Sequence, residues 1–159
     1  MIYLKILGAF FVAFSGIMLS VRLNRRISTS LRHAEAWEQL LGQIKNEVEC
    51  FSLPVSEILA RTDPSLLSLC GYIGESAPEG LSELVENTVF TDAEICRVAT
   101  RFASEFGRCY KNEQVERCAY FTALMSERRK KIAAELPSKR KLNATVCLSV
   151  SLGVLILFL

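Results

Sequence analysis

Between residues 27 and 136 the apolar positions recur with a helical period, and toward each end of the chain the polar positions drop out. Ile27, Leu31, Ala34, Leu41, Ile44, Val48 and Phe51 follow one another at steps of three, four and seven, with Trp37 on the same broad face. This stripe predicts one amphipathic helix of about seven turns. No proline interrupts residues 1–53, so the helix is expected to continue directly from the apolar run before it. A bend is expected near Ser28–Ser30 and an end at Pro54.

Beyond Pro54 the signals are shorter. Pro54 can open a brief helix through Leu59 and Ala60, and Pro64 another over Leu66, Leu67, Leu69 and Cys70. In both, the missing N–H costs nothing in a first turn. Gly71 and Gly74 weaken or end the second. Residues 75–80, Glu-Ser-Ala-Pro-Glu-Gly, read as a loop, and Leu81, Leu84 and Val85 as a two-turn helix. Helices this short need longer ones to pack against. Thr91 and Glu94 have the spacing of a capping box. It opens a helix with Ile95, Val98, Phe102, Phe106 and Cys109 on one face, which Gly107–Asn112 breaks or bends. A last long helix over about 113–136 presents Val115, Cys118, Thr122, Met125, Ile132 and Leu136. Arg128 and Arg129 fill the gap in that stripe, so burial there is incomplete. Pro137 and Ser138 are expected to end it. No polar–apolar alternation lasts more than a few residues and no Asn-Gly or Asp-Gly occurs, which argues against β structure.

The apolar ends change the picture. Residues 6–21 run for sixteen positions without a charge, and residues 142–159 for eighteen. At 1.5 Å per residue they rise about 24 and 27 Å, against a hydrocarbon layer of about 30 Å. Each therefore reads as a slightly short transmembrane helix, with Lys5 able to extend its ammonium to an interface. A buried core helix is the alternative, but runs apolar all round need partners on every side. A cleaved signal peptide fits poorly, because the positive flank follows the first run and no A-x-A site does.

Arg22, Arg25, Arg26 and Arg32 follow the first run, and Lys139, Arg140 and Lys141 precede the second. This bias places the middle of the chain in the cytoplasm and both termini outside a cell membrane. The formal net charge of +2 hides a division: residues 27–138 hold 12 Lys/Arg against 17 Asp/Glu. An acidic middle argues against nucleic-acid binding, and the basic flanks read as a collar for anionic lipid. At 159 residues there is room for one compact domain. The expected fold is all-α, a helical bundle flanked by two transmembrane helices. Its divisions are 1–21 (transmembrane), 22–138 (cytoplasmic bundle) and 139–159 (basic flank and second transmembrane helix).

Candidate chemistry is sparse. There is no phosphate-binding loop, no dinucleotide fingerprint, no H-E-x-x-H and no paired C-x-x-C. His33 is the one histidine, and no second group selects a nucleophile beside it. The six cysteines are widely and irregularly spaced, and read mostly as small apolar residues. Neither enzyme activity nor a metal, cofactor or small-molecule substrate is expected. Arg128, Arg129, Lys130 and Lys131 form the densest charge run of the middle segment. It reads as a solvated face or as a docking patch for an acidic partner or lipid, and Arg22, Arg25 and Arg26 are candidates for similar contact.

Leu4-Lys5-Ile6-Leu7-Gly8-Ala9 opens the chain, and Leu40-Leu41, Ile44, Glu47-Val48 and Leu53-Pro54 follow along the long stripe. Leu152-Gly153-Val154 lies in the last apolar run. In this order and spacing they resemble the stage III sporulation protein AB family. That family is similar to the cytoplasmic helical domain of the platform (F) protein of type II secretion and type IV pilus machines. The resemblance implies a non-catalytic membrane platform component of the channel between mother cell and forespore, in the outer forespore membrane on the mother-cell side. It also implies partners, a secretion-type ATPase coupled to the membrane complex and other membrane proteins of that channel. Carried over by position, the family signature falls on Lys5, Gly8, Glu47, Pro54, Gly107 and Gly153. Two stretches depart from it. Phe106-Gly107-Arg108-Cys109-Tyr110 lacks the aspartate of the usual Leu-Gly-x-x-Asp, and Lys141-Leu142-Asn143-Ala144 lacks an aromatic. The alternative function is a small membrane-anchored adaptor or regulator that holds a soluble cytoplasmic partner.

Overall fold

The computed structural model describes the backbone of residues 2–107 and 110–158, and the side chains of 14–107, 110–150, 152 and 153. Among the described residues there are six helices: α1 (Ile2–Phe51), α2 (Val55–Arg61), α3 (Pro64–Leu69), α4 (Leu81–Glu86), α5 (Ala93–Glu105) and α6 (Lys111–Phe158). The chain divides into two compact units, residues 29–132 and residues 1–28 with 133–159, and α1 and α6 each contribute to both.

In the unit 29–132, α1 supplies the centre of the core. Ala34, Ala36, Trp37, Leu40, Leu41, Ile44 and Val48 are all buried, a broader arc than a two-helix seam would need. Each large side chain among them contributes about 1.5–3 kcal/mol on burial. From α2 to α5 come Ile58, Leu59, Leu66, Leu67, Leu84, Ile95, Val98 and Phe102, and from α6 Cys118, Phe121, Met125 and Ile132. Phe102 packs between Phe106 and Phe121, with ring centroids at 5.0 and 5.4 Å. The buried Trp37 donates its indole N–H to the Cys70 carbonyl (3.1 Å) and stacks on Phe90 at 5.8 Å.

The connections follow from local chemistry. α1 ends as Ser52 turns to φ 55, its N–H returning to the Val48 carbonyl, and Pro54 then leads into α2. Asp63 caps α3 by accepting from the Ser65 N–H (2.8 Å), with Pro64 in the first turn. After Leu69 the chain reverses at Gly71, whose φ is 94. The Tyr72 N–H reaches the Leu67 carbonyl and the Gly71 N–H the Ser68 carbonyl, the paired bonds of a Schellman cap. A Cβ on Gly71 would stand 2.7 Å from the Val89 carbonyl oxygen, so glycine is required here for space as well as conformation. The Val89 N–H donates to the Gly71 carbonyl and the Ile73 N–H to that of Asn87, around an isolated bridge between Tyr72 and Thr88.

Several expectations need correction. The cap of α5 is Asp92, which accepts from the Glu94 and Ile95 N–H groups at 3.0 and 3.2 Å. The Thr91 hydroxyl instead accepts from the Ser30 hydroxyl at 3.1 Å. Carboxylate and hydroxyl compete one residue apart, and the carboxylate takes the cap. α6 does not stop at Pro137 and Ser138 but runs through them. Pro137 removes the bond that would reach back to Ala133, which is exposed and can be served by water. The Glu135–Lys139 pair (2.7 Å) spans the same turn.

The larger correction concerns the membrane. Among the described residues no helix is long and apolar enough to cross one. The uncharged stretches with described side chains, 14–21 of α1 and 142–150 of α6, rise only about 12 and 14 Å, less than half of a hydrocarbon layer. The remainder of the two apolar runs, 6–13, 151 and 154–159, lies outside the residues whose side chains are described. The architecture is therefore an all-α helical fold, not a bundle flanked by two transmembrane helices. The multi-pass membrane placement, the membrane platform role and the membrane-anchored alternative all rested on those spans and fall with them.

In the unit formed by 1–28 and 133–159, the α1 and α6 segments are joined by polar ties. The Asn143 amide donates to the Asn24 side-chain oxygen (3.2 Å), and Arg140 donates to the Ser28 hydroxyl (2.9 Å). Gly16, Ser20, Ala144 and Cys147 line an apolar cavity of about 250 Å3 between them. Phe14, Ile17, Met18, Leu19, Leu142, Val146, Leu148 and Val150 are exposed. Together they give these two segments an exposed apolar surface.

Candidate functional site

The run 128–131 is split by the helix that carries it. Arg128 donates through Nε and Nη2 to both carboxylate oxygens of Asp92, at 3.1 and 2.6 Å. The two side chains are only 22 and 14% exposed, so this fork is largely shielded from water. Asp92 thus serves two masters, the α5 N-terminus and the α6 guanidinium. Arg129 donates Nε to Glu38 on α1 at 2.6 Å. Both arginines therefore tie α6 to the rest of the unit. Lys130 and Lys131 are exposed.

Beside the Arg128–Asp92 clamp, α5 and α6 leave a groove of about 450 Å3. Val98, Phe121 and Leu124 supply its apolar lining, and Arg97, Arg101, Arg128 and Lys131 its cations, with Glu94 and Glu127 among them. Arg97 pairs with Glu94, and Arg101 donates to Glu105 at 2.7 Å while lying 5.9 Å over the Phe121 ring. Tyr120 stands at the edge, half exposed. Of the four cations in this lining, the sequence singles out Arg128 and Lys131 but not Arg97 and Arg101. The signal was present: they lie four apart on α5, on the side away from Ile95 and Phe102.

The remaining sequence-derived positions scatter. Arg22, Arg25 and Arg26 are exposed on α1 in the other unit, distant in the chain from the 128–131 run. Glu47 is half-buried, Pro54 and Gly153 are exposed, and Gly107 forms the turn after α5 with φ 84. Lys5 and Gly8 lie outside the residues whose side chains are described, and Arg108 and Cys109 outside the described residues altogether.

His33 sits against the loop that precedes α5, its Nδ1 3.3 Å from the Thr91 hydroxyl. Burial lowers its pKa below the ordinary histidine value. Burial likewise pushes the Cys70 and Cys118 thiols up to about 12, which keeps both protonated and unreactive. Among the described residues no three His, Cys, Asp or Glu side chains stand close enough to hold a metal ion.

Helices tied by intramolecular ion pairs around a core that buries Cys70 and Cys118 define an all-α helical bundle. The family model for stage III sporulation protein AB matches residues 5–159. The chain belongs to that family and is a sporulation-related helical protein. No curated protein and no solved structure matches it.

Proposed function

We propose that this chain is a docking component of the sporulation machinery, holding another protein of that machinery against the unit 29–132. The observation that carries the reading is the family match over residues 5–159. The surface chemistry supports it: Arg97, Arg101, Lys130 and Lys131 present exposed cations close to a clamped, well-packed core. A rigid frame with charged side chains outside it suits recognition of a partner, because little order has to be imposed on binding. The partner we assign is the secretion-type ATPase that the resemblance implies, together with other proteins of the sporulation channel.

Affinity purification of the tagged full chain from sporulating cells, after brief crosslinking, tests this. Enrichment of the secretion-type ATPase and other sporulation proteins over a tag-only control is expected. Recovery of no sporulation protein above that control would overturn the reading.

A further inference from the structure

We infer that the groove between α5 and α6 receives an acidic, amphipathic helix of the partner protein. This rests on the docking reading above and names the surface and the chemistry of what fills it.

Shape comes first. Tyr120, Leu124, Glu127, Arg128 and Lys131 succeed one another along α6 at helical spacing, and Arg97 and Arg101 do so along α5. The two rows flank an apolar seam in which Leu124 is partly exposed and Val98 and Phe121 are buried beneath the surface. From Tyr120 to Lys131 the groove wall rises about 16 Å, which matches three turns of a docked helix. A helix laid in a groove anchors by apolar side chains at i, i+3 and i+4 and is selected by the charges beside them.

Charge fixes the kind of helix. The unit 29–132 holds 12 Lys/Arg against 16 Asp/Glu, whereas four cations and two carboxylates line the groove. The lining is richer in cations than the acidic unit as a whole, and with Asp92 and Glu105, the partners of Arg128 and Arg101, its charges balance. Cations released from such pairs select a partner of opposite charge. The α5 cations can be recruited. Arg97 and Arg101 are 74 and 57% exposed, and their partners are neighbours on the same helix. Exposed local pairs of this type hold weakly, so an incoming carboxylate can replace Glu94 or Glu105. Arg128 stays with Asp92 and keeps the wall in place. A phosphate-bearing lipid surface fits less well. Glu94 and Glu127 would repel an anionic headgroup, but both can pair with an occasional lysine of a mixed-charge helix.

The test uses the purified full chain and a labelled probe helix of about twelve residues, with glutamates along one side and leucines and one phenylalanine along the other. Its Glu→Gln counterpart and phosphatidylglycerol vesicles form the comparison arms, read by fluorescence anisotropy and flotation. The acidic probe is expected to bind at least about tenfold more tightly than the neutral one, and to weaken as salt rises. R97E/K131E should lose about tenfold or more, R97Q/K131Q about threefold, and R61E/K111E less than twofold. Circular dichroism checks that each variant is folded, and R97Q/K131Q keeps the test open if R97E/K131E is not. Equal binding of acidic and neutral probes would overturn the inference. So would a groove variant that binds like R61E/K111E, or vesicle binding that depends on Arg97 and Lys131 while peptide binding does not. Repeating the affinity purification separates the two levels. Sporulation proteins recovered by wild type but lost with R97E/K131E support the groove. Equal recovery by both removes the groove and leaves the docking reading, and recovery by neither removes the docking reading itself.

Discussion

Replacing Asp92 by alanine removes two functions of one side chain. The first is the cap on α5, where the carboxylate accepts from the Glu94 and Ile95 N–H groups; loss of such a cap costs about 1 kcal/mol. The second is the fork to Arg128. Breaking a fully buried pair costs about 3–5 kcal/mol and an exposed one about 0–1. With the partners 14 and 22% exposed, about 1.5–3 kcal/mol applies, and D92A should lose about 2.5–4 kcal/mol in total. D92N separates the terms, because asparagine caps as well as aspartate; it should lose about 1–2 kcal/mol. R128M leaves the carboxylate with its two backbone donors and should cost about 1 kcal/mol. Urea unfolding of the full chain, followed by circular dichroism, measures each, and a cycle of D92N with R128M isolates the coupling.

Acid should erase this contribution. Burial opposes ionisation of Asp92, but the hydrogen bonds and charge of Arg128 and the Ile95 and Glu94 N–H groups outweigh it and hold the carboxyl below the usual range. With the folded pKa depressed, the unfolded chain takes up the proton first. The stabilisation is then complete above about pH 4 and is lost as pH falls through the folded value. The gap between wild type and D92N should close over that window. A D92A chain within about 0.5 kcal/mol of wild type at pH 7 would refute the assignment of Asp92 as cap and clamp.

Three further outcomes follow from the same geometry. Gly71→Ala should destabilise by about 2–4 kcal/mol, from the left-handed backbone and the approach to Val89. Gly42→Ala, in mid-helix with nothing near the added methyl, should stabilise by about 0.5–1 kcal/mol; urea midpoints compare the two. In iodoacetamide labelling of the native chain at pH 8, exposed Cys50 should react and Cys70 and Cys118 should not; prompt labelling of the buried pair would contradict their protonated state. His33 has a folded pKa below its unfolded value, so its contribution is full above about pH 6.5 and falls as pH drops toward the folded value. H33Q should flatten the stability profile between pH 5 and 7, measured by urea unfolding at each pH.

Much of the helical frame was readable from the residues. Ala34, Trp37, Leu41, Ile44 and Val48 are buried as their spacing requires, and Pro54 and Pro64 open the short helices where the missing N–H is harmless. Phe51 closes the stripe by pattern, yet is 69% exposed, since the helix ends beside it and no further turn covers the ring. Local rules failed where two side chains compete or where tertiary contacts override propensity. Thr91 and Asp92 both suit a cap, and the pull of Arg128, 36 residues away, was invisible in the sequence. Pro137 reads as a stop, but α6 passes through it. The run 128–131 looked like one patch, whereas the helical turn sends Arg128 to Asp92, Arg129 to Glu38 and Lys131 to the groove. The groove needed both helices in place before Arg97 and Arg101 could be seen beside Lys131. The terminal runs misled because composition reported apolarity alone, without showing how the helices that carry it are built.

The most direct measurement is the titre of heat-resistant spores in a strain whose only copy of this chain carries R97E/K131E, at wild-type abundance, beside strains carrying R61E/K111E and H33Q. If the protein works by contact through the α5/α6 groove, spores should fall steeply with R97E/K131E and stay near wild type with the other two. Normal spore numbers with R97E/K131E, or a collapse with H33Q in a folded, abundant chain, would contradict it.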